Sequence, residues 1–209
     1  MKPLILIGGG GHCKSVIEVA ESIGRNIQGI LDMPEDVGKM VLGYPVLGTD
    51  SDIIKYIDDV EFIVTVGFIK SPDIRIKLYD TVTSLGGKLA TLIASTAYVS
   101  AHATIGEGTV ILHQAVVNVD ASIGKGCIIN TLSNIEHDAI IGDHCHISTG
   151  AMVNGDCKVG EGSFVGSQCV VGNGISIAPH TIIAAGSFVR KDIVTPGIYA
   201  GNPAIFYKS

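Results

Sequence analysis

Three histidines lie within ten positions of one stretch, INTLSNIEHDAIIGDHCHIS: His137, His144 and His146. An imidazole can act as a general acid or base near neutral pH, and it is also a common metal ligand. Carboxylates flank His137 on both sides, at Glu136 and Asp138. The chemistry open to these groups depends on how the fold arranges them, because neighbours in sequence need not share a face.

A strict period of six runs through the second half of the chain. Starting at Ile93, every sixth residue up to Val189 is isoleucine or valine, seventeen in succession. The fifth residue of most hexads is small, and four of the five cysteines fall in that column. Such a hexapeptide repeat is typical of a parallel β-helix, in which three flat faces close a triangular coil of eighteen residues. Glycines recur at that spacing, as at Gly106, Gly124 and Gly142, where corners need a permissive backbone.

The predicted prism has an uncovered exterior. Seventeen hexads would give five and two-thirds coils, about 27 Å tall at a strand separation of roughly 4.8 Å. The apolar content of the chain, 46%, indicates that one outer face packs against neighbouring chains. Since closed three-fold symmetry suits a triangular prism, we predict a homotrimer.

The first part of the chain alternates strand and helix patterns. Buried strands are predicted at residues 4–8, 27–31 and 62–66, and helices at residues 15–23 and 73–84. This alternation predicts an α/β N-terminal Rossmann-like domain over residues 1–90. An all-β parallel β-helix with a C-terminal tail would follow over residues 91–209.

A run of glycines, Gly8 to Gly11, and then His12 follow the first predicted strand. Backbone N–H groups at a helix N-terminus form a phosphate cradle. A full dinucleotide fingerprint would place another glycine where Cys13 stands, and the domain is too short for six strands. We interpret the loop as a mononucleotide or nucleotide-diphosphate site, with Asp32 near the ribose or base. Tight strand-to-helix packing without a ligand is the alternative.

Composition excludes some classes of function. The net charge of −6 and the pI near 5.5 disfavour nucleic acid as a partner, since such proteins normally carry a basic stripe. The N-terminal apolar run of five residues is shorter than a signal-peptide core or a membrane span, so we expect a cytoplasmic protein without a membrane partner. The five cysteines form no CxxC pair, which favours reduced thiols.

The period also locates the histidines. His137 falls at or near a corner, and Gly155 stands eighteen residues later, so its N–H should lie about 4.8 Å from the level of His137. His144 and His146 would point to the same side of an extended face. A corner histidine can take a proton from an incoming amine, with Asp138 orienting it and a glycine N–H facing the oxyanion. A purely structural histidine is the alternative.

The whole chain resembles the bacterial nucleotide-sugar acyltransferases of the NeuD and PglD type, which join a small Rossmann-like domain to a left-handed β-helix. The matching stretches are LILIGGGGHCKSVIEVA, GILD, YPVLGTD, VTVGFIKSPDIRIKL, TLIASTAYVS, NTLSNIEHDAIIGDHCHISTGAMVNGDCKVG and AAGSFVRKDIVTPGIYAGNPA. The glycine-rich start, N-x5-E-H-D and the closing GNPA together are more selective than the hexapeptide array. Two features depart from the family pattern: Cys13 replaces the usual glycine or alanine, and LIAST lacks the His-Pro of LIHPS.

This resemblance implies a fold and roles for individual residues. The β-helix would be left-handed, His137 would be the general base, and Asp138 would be the acidic residue beside it. The implied ligand contacts are His146, Gly155 and Ala185 for acetyl-CoA, and Gly10, Gly11, His12 and Asp32 for the nucleotide sugar. Family members bind acetyl-CoA in the groove between adjacent prisms, and no metal is implied.

The favoured function is acetyl-CoA-dependent N-acetylation of a nucleotide-linked amino sugar, with a UDP-linked 4-amino sugar suggested by the resemblance. O-acetylation of a sugar such as sialic acid would use the same corner. A metal enzyme resembling gamma-class carbonic anhydrase is a further alternative, although the spacing of the three histidines does not match the H-x4-H pair of that class. A non-catalytic scaffold or sugar-nucleotide sensor is the last.

Overall fold

The computed structural model describes residues 1–208, which form an α/β sheet followed by a coil of short parallel strands. The N-terminal elements are β1 (Leu4–Ile7), α1 (Gly11–Ser22), β2 (Ile27–Leu31), β3 (Met40–Val41), β4 (Tyr44–Gly48), β5 (Glu61–Val64) and α2 (Asp73–Ser84), with 3₁₀ turns at Pro34–Asp36 and Asp50–Lys55. Both helices stop at twelve residues, too short to cross a bilayer, and no longer apolar helix occurs among the described residues.

The N-terminal sheet has helices on both faces, as an α/β fold requires. Its strand order is β3-β4-β2-β1-β5, and only β3 runs antiparallel to its neighbour. Leu4 and Leu6 of β1 point into a core that contains the apolar side of α1. Ile5 and Ile7 point into the opposite core, which contains residues of α2. This alternation follows from the two-residue period of a strand.

Several of these elements differ from the prediction in their boundaries. Helix α1 begins at Gly11, four residues before the predicted start at Ser15, because Gly10 is the extended residue that precedes the first turn. Strand β1 ends at Ile7 and β5 at Val64, so both are shorter than predicted. Strands β3 and β4 were not predicted, and they form an antiparallel hairpin at the sheet edge.

The coil contains seventeen two-residue strands, one for each predicted hexad. They are β6 (Leu92–Ile93), β7 (Tyr98–Val99), β8 (Thr104–Ile105), β9 (Val110–Ile111), β10 (Val116–Val117), β11 (Ser122–Ile123), β12 (Ile128–Ile129), β13 (Asn134–Ile135), β14 (Ile140–Ile141), β15 (His146–Ile147), β16 (Met152–Val153), β17 (Lys158–Val159), β18 (Phe164–Val165), β19 (Val170–Val171), β20 (Ser176–Ile177), β21 (Ile182–Ile183) and β22 (Phe188–Val189). Strands β23 (Ile198–Ala200) and β24 (Ile205–Lys208) extend one face with a hairpin.

The strands stack into three walls, and paired residues are eighteen positions apart, as Ile128 and His146 are. The first wall contains β6, β9, β12, β15, β18 and β21; the second contains β7, β10, β13, β16, β19 and β22; the third contains β8, β11, β14, β17 and β20. The second residue of each strand is the isoleucine or valine of the period, and these residues form the inner core. The predicted parallel β-helix is confirmed.

The cysteines of the coil fill this core, as the repeat predicts. Cys127, Cys145, Cys157 and Cys169 are buried and free. The Cys127 thiol donates to the Gly142 carbonyl at 3.1 Å, and each of the other three makes the same contact with a carbonyl fifteen residues later. Burial raises the pKa of the Cys127 thiol to about 12, so it is not a thiolate nucleophile at neutral pH.

The outer surfaces of the three walls differ in chemistry. The first wall is buried under the α/β domain, with Val110 and Ile128 in the same core as α1. The third wall presents mainly polar residues, namely Thr104, Ser122, Ile140, Lys158 and Ser176. The second wall presents a mainly apolar column that no element within residues 1–208 packs over, namely Tyr98, Val116, Asn134, Met152, Val170 and Phe188. Tyr98 and Met152 are 59% and 42% exposed, so apolar side chains of this column are open to solvent in the single chain.

A buried arginine joins the two domains. Arg75 of α2 donates to the carbonyl of Val64, the last residue of β5, and to that of Val66, two residues further on. It also donates to the carbonyl of Gly126 at a coil corner. Burial lowers the pKa of this guanidinium to about 10, which still leaves it charged at neutral pH. Three carbonyl dipoles therefore hold one buried cation, and they fix the end of β5 against the coil.

Candidate active site

His137 lies in the turn between the second and third walls, after β13. Its Nδ1 is 2.7 Å from Oδ2 of Asp138, whose φ of 61° turns the chain so that the two side chains meet. Both side chains are more than half exposed, at 54% and 59%. Because the carboxylate can only accept, Nδ1–H donates to it, and Nε2 keeps its lone pair for a proton.

The hydrogen bond and charge of Asp138 raise the pKa of His137, and Glu136 and Asp156 add to this effect. Glu136, the other flanking carboxylate, is engaged elsewhere. It accepts from the amides of Asn118 and Asn134, each at 2.9 Å, and these bonds lower its pKa. Asp138 is therefore the carboxylate that orients the imidazole.

Gly155 lies directly against the His137 ring, one coil further on. A Cβ at Gly155 would stand 2.6 Å from Cε1 and 2.7 Å from Nε2 of His137, closer than any real Cβ contact. The N–H of Asp156 donates to the His137 carbonyl at 3.1 Å, which locks the two turns together. No acceptor for the Gly155 N–H is found within residues 1–208, so this backbone donor is unpaired there.

We expect Gly155→Ala to lower kcat by about 10² while leaving the fold intact. The new methyl group must displace the His137 ring, and a misplacement of about 1 Å costs that much in catalysis. The backbone at Gly155 lies outside the left-handed region, so alanine adds no strain there. Steady-state kinetics and thermal unfolding measure the two effects. Asn173→Ala, the same corner position one coil further, is the matched control and should retain full activity.

His146, in contrast, is enclosed. Its Nδ1 lies 2.8 Å from the carbonyl oxygen of Phe68, and its Nε2 lies 3.1 Å from Nδ2 of Asn130. The rings of Phe68 and Phe164 pack edge-on against it, with centroids 5.6 and 5.1 Å away. Only 8% of the residue is exposed, and burial lowers its pKa to about 4. His146 is thus a neutral side chain under the α/β domain.

His144 serves a packing role. Its φ of 54° places it at a corner between the third and first walls, so the stretch is not extended and His144 does not share a face with His146. Its ring packs edge-on against Tyr79 of α2, with centroids 5.1 Å apart. The three histidines of this stretch therefore lie in three different environments. Residues 1–208 contain no cluster of three or more His, Cys, Asp or Glu side chains that could hold a metal.

The glycine-rich turn lines a pocket of about 340 Å³ between β1, β2 and the end of β5. The four residues predicted to contact the nucleotide sugar, Gly10, Gly11, His12 and Asp32, all line it. Asp32 accepts from the Gly9 N–H at 2.8 Å, which holds its carboxylate at the mouth of the turn. The N-terminus of α1 opens toward the same space, so its free N–H groups can receive a phosphate.

His12 lies in the first turn of α1 and is neutral. Burial lowers its pKa to about 3, and Arg75 and His146 contribute in the same direction. Its Nε2 is buried without a hydrogen-bond partner. A neutral imidazole with one free nitrogen suits a polar ligand better than a bare packing role, because an unpaired buried nitrogen costs free energy.

Two of the predicted acetyl-CoA residues, Ala185 and Gly155, lie at opposite edges of the second wall. Ala185 and Asn130 lie in turns between the first and second walls, and His146 contacts that edge through Asn130. His137 and Gly155 lie in turns between the second and third walls. These residues therefore form two groups, one at each edge of the second wall, and we call the two groups half-sites.

The sequence analysis predicted no role for three residues that the structure places at or near the candidate site, namely Asn130, Phe68 and Arg75. Asn130 is the first residue of the N-x5-E-H-D motif, so the sequence contained a signal for it but not a function. Phe68 contacts His146 across 78 positions of sequence, a separation that no local pattern encodes.

Comparison with known proteins supports this description. The PglD N-terminal domain model matches residues 3–82, and the bacterial transferase hexapeptide model matches residues 120–155 and 156–191. The acetyltransferase domain of PglB from Neisseria gonorrhoeae is 31% identical, with a TM-score of 0.92 over 99% of this chain and 100% of that one. A perosamine N-acetyltransferase variant from Caulobacter crescentus, in complex with CoA and GDP-perosamine, is 30% identical, with a TM-score of 0.94 over 100% of this chain and 98% of that one.

A curated relative matches a smaller part. An uncharacterized protein of Acanthamoeba polyphaga mimivirus is 35% identical over 106 residues, which are 51% of this chain. The match spans only 20% of that larger protein, so it identifies a shared segment and nothing about the rest of the relative.

Proposed function

The chain belongs to the PglD and NeuD type of nucleotide-sugar acetyltransferases, and we propose that it transfers the acetyl group of acetyl-CoA to the amino group of a nucleotide-linked amino sugar. The observation that carries the proposal is the His137–Asp138 pair resting on Gly155, which joins a proton acceptor to a free backbone N–H. The relatives support the substrates: one PglB structure contains acetyl coenzyme A, and the perosamine enzyme contains CoA and GDP-perosamine.

In this mechanism the sugar amine attacks the thioester carbonyl directly. The C–N bond forms, His137 Nε2 takes a proton from the amine, and the Gly155 N–H donates to the developing oxyanion. The C–S bond then breaks, and the proton on His137 passes to the departing thiolate of CoA. No acyl-enzyme is needed, and the buried cysteines of the coil offer no nucleophile in any case.

We further propose a homotrimer in which the second walls face the three-fold axis. In a closed ring, one edge of each chain meets the opposite edge of the next chain. His137 and Gly155 of one chain would then face Asn130 and Ala185 of its neighbour across the groove that holds acetyl-CoA. This arrangement accounts for the two half-sites and for the uncovered apolar column.

The glycine-rich pocket is the proposed site of the nucleotide. The α1 N-terminus would receive the diphosphate, and Asp32 would accept from the ribose or base. A UDP-linked 4-amino sugar as the substrate and a cytoplasmic location both stay predictions, as does the division of the chain between residues 90 and 91.

A panel of UDP-, dTDP-, GDP- and CMP-linked sugars, with and without an amino group, tests the function in the presence of acetyl-CoA, with thiol release as the readout. We expect release with at least one of them and a product that carries an amide. Release only with a sugar that lacks an amine, or an ester in the product, would indicate O-acetylation instead. Absence of thiol release across the whole panel would contradict the acetyltransferase proposal.

The contact with Asp138 predicts a shift in the pH profile. Asp138 raises the pKa of His137, and the base must be neutral to accept a proton, so kcat/KM should fall as the pH drops through that pKa. Asp138→Asn removes the negative charge, lowers the pKa of His137 and should move this acidic limb to lower pH. Profiles of kcat/KM for both proteins measure the shift. An unchanged or upward-moving limb would show that another group titrates.

A further inference from the structure

A continuous line of hydrogen bonds runs from the α/β domain to the edge between the first and second walls. The Thr131 N–H donates to Oδ1 of Asn130 at 2.8 Å. Nδ2 of Asn130 lies 3.1 Å from Nε2 of His146, and Nδ1 of His146 lies 2.8 Å from the carbonyl oxygen of Phe68. At one end of this line is a backbone N–H, which can only donate, and at the other end is a backbone carbonyl, which can only accept.

The two ends fix every proton between them. The backbone N–H of Thr131 can only donate, so Asn130 turns its oxygen toward it and its NH₂ toward His146. His146 Nε2 must therefore accept. From the other end, the Phe68 carbonyl can only accept, so His146 carries its proton on Nδ1. Both directions give the same neutral tautomer, and the lowered pKa of His146 agrees with it.

This tautomer leaves His146 with no hydrogen to offer a ligand. Its one N–H is used by Phe68, and the surrounding aromatic rings leave it 8% exposed. Asn130, in contrast, is partly exposed, and its NH₂ has two hydrogens, of which His146 accepts one. No acceptor for the second hydrogen is found within residues 1–208, and Asn130 lies at the edge of the second wall.

We propose that Asn130, and not His146, donates the hydrogen bond to the thioester carbonyl of acetyl-CoA, and that His146 is a positioning residue that holds the Asn130 amide. The proposal rests on the proposed function. The carbonyl oxygen would lie between the Asn130 amide of one chain and the Gly155 N–H of its neighbour. Two donors from opposite sides would then stabilise the oxyanion as the amine attacks.

The same line of hydrogen bonds connects Asn130 to the α/β domain. Phe68 follows directly on Thr65, Val66 and Gly67, which line the glycine-rich pocket. The Val66 carbonyl is held by Arg75, so the position of Phe68 is fixed relative to the coil. Through its bond to Phe68, His146 therefore holds Asn130 against the chain segment that also lines the glycine-rich pocket, the proposed nucleotide site.

Kinetics of Asn130→Asp, Asn130→Ala, His146→Ala and the double Ala variant test the proposal. Asn130→Asp keeps an acceptor for Thr131 but has no N–H, and we expect kcat to fall about 10²- to 10³-fold, the usual loss for one oxyanion donor. The KM for acetyl-CoA should change much less. The double variant should be no worse than Asn130→Ala alone, because His146 acts through Asn130. If the kcat losses of Asn130→Ala and His146→Ala multiply in the double variant, His146 has its own contact with the substrate, and the proposal is overturned.

Nitrogen-15 NMR of the imidazole groups tests the tautomer without any reaction. We expect His146 to remain neutral with the proton on Nδ1 between about pH 5.5 and 8, and to change in the Asn130→Ala variant. A proton on Nε2, or an imidazolium in that range, would refute the assignment. If the wild-type protein is inactive on every amino sugar, the proposed function is refuted. If the wild type is active and the losses of the two single variants multiply, only this inference is refuted.

Discussion

Replacement of His137 by alanine is expected to lower kcat by about 10² to 10⁴, the usual contribution of a positioned general base. The imidazole ring lies against Gly155, and its Nε2 keeps a lone pair for a proton because Nδ1 binds Asp138. The KM values should change little, since the side chain mainly transfers a proton. Initial rates of thiol release at saturating substrate measure the effect.

Replacement of a second exposed histidine serves as the control that distinguishes a loss of catalysis from a loss of folding. His102 is exposed in another turn of the coil, and His102→Ala should behave as wild type. Both variants should elute as the same oligomer, since neither residue belongs to the apolar column of the second wall. Turnover of His137→Ala within a few-fold of wild type would refute the role of His137 as the base, even if the protein remained an acetyltransferase.

Introduction of a charge on the second wall should abolish both assembly and activity. Met152 lies in the middle of the apolar column, so Met152→Asp would bury an unpaired carboxylate at the proposed three-fold interface. We expect monomers in light scattering and a drop of at least about 10² in kcat/KM, because the half-sites on the two edges would no longer meet.

The third wall supplies the control for this experiment. Lys158 occupies the same outward position on the polar third wall, in β17, the strand that directly follows the β16 strand of Met152. Lys158→Asp should leave both the oligomer and the rate unchanged. A wild-type protein that is monomeric at assay concentrations, or a monomeric Met152→Asp protein with full activity, would contradict the composite site.

The coil could be predicted almost residue by residue. Every strand from β6 to β22 ends at the predicted isoleucine or valine, because only that position points inward and a triangular cross-section repeats every eighteen residues. The α/β domain was harder. Helix α1 begins within the glycine run, where composition favoured a loop, and the hairpin of β3 and β4 has only a two-residue strand at its edge.

The candidate site divides in the same way. The meeting of His137 with Gly155 follows from register alone, since residues eighteen apart lie at adjacent levels of the coil. The enclosure of His146 does not, because Phe68 arrives from another domain and no local period relates the two. The sequence predicted that one outer face is apolar but not which of the three. The structure identifies it as the second wall, because the α/β domain packs on the first wall.

The buried cysteines give this coil internal reporters. Each thiol at 127, 145, 157 and 169 faces inward from a different level, and stacked repeats contact only their immediate neighbours. A thiol reagent too large for the intact prism can therefore reach one of them only after the local turns separate. The order of modification, read by mass spectrometry, would reveal which end of the prism frays first, without any engineered label.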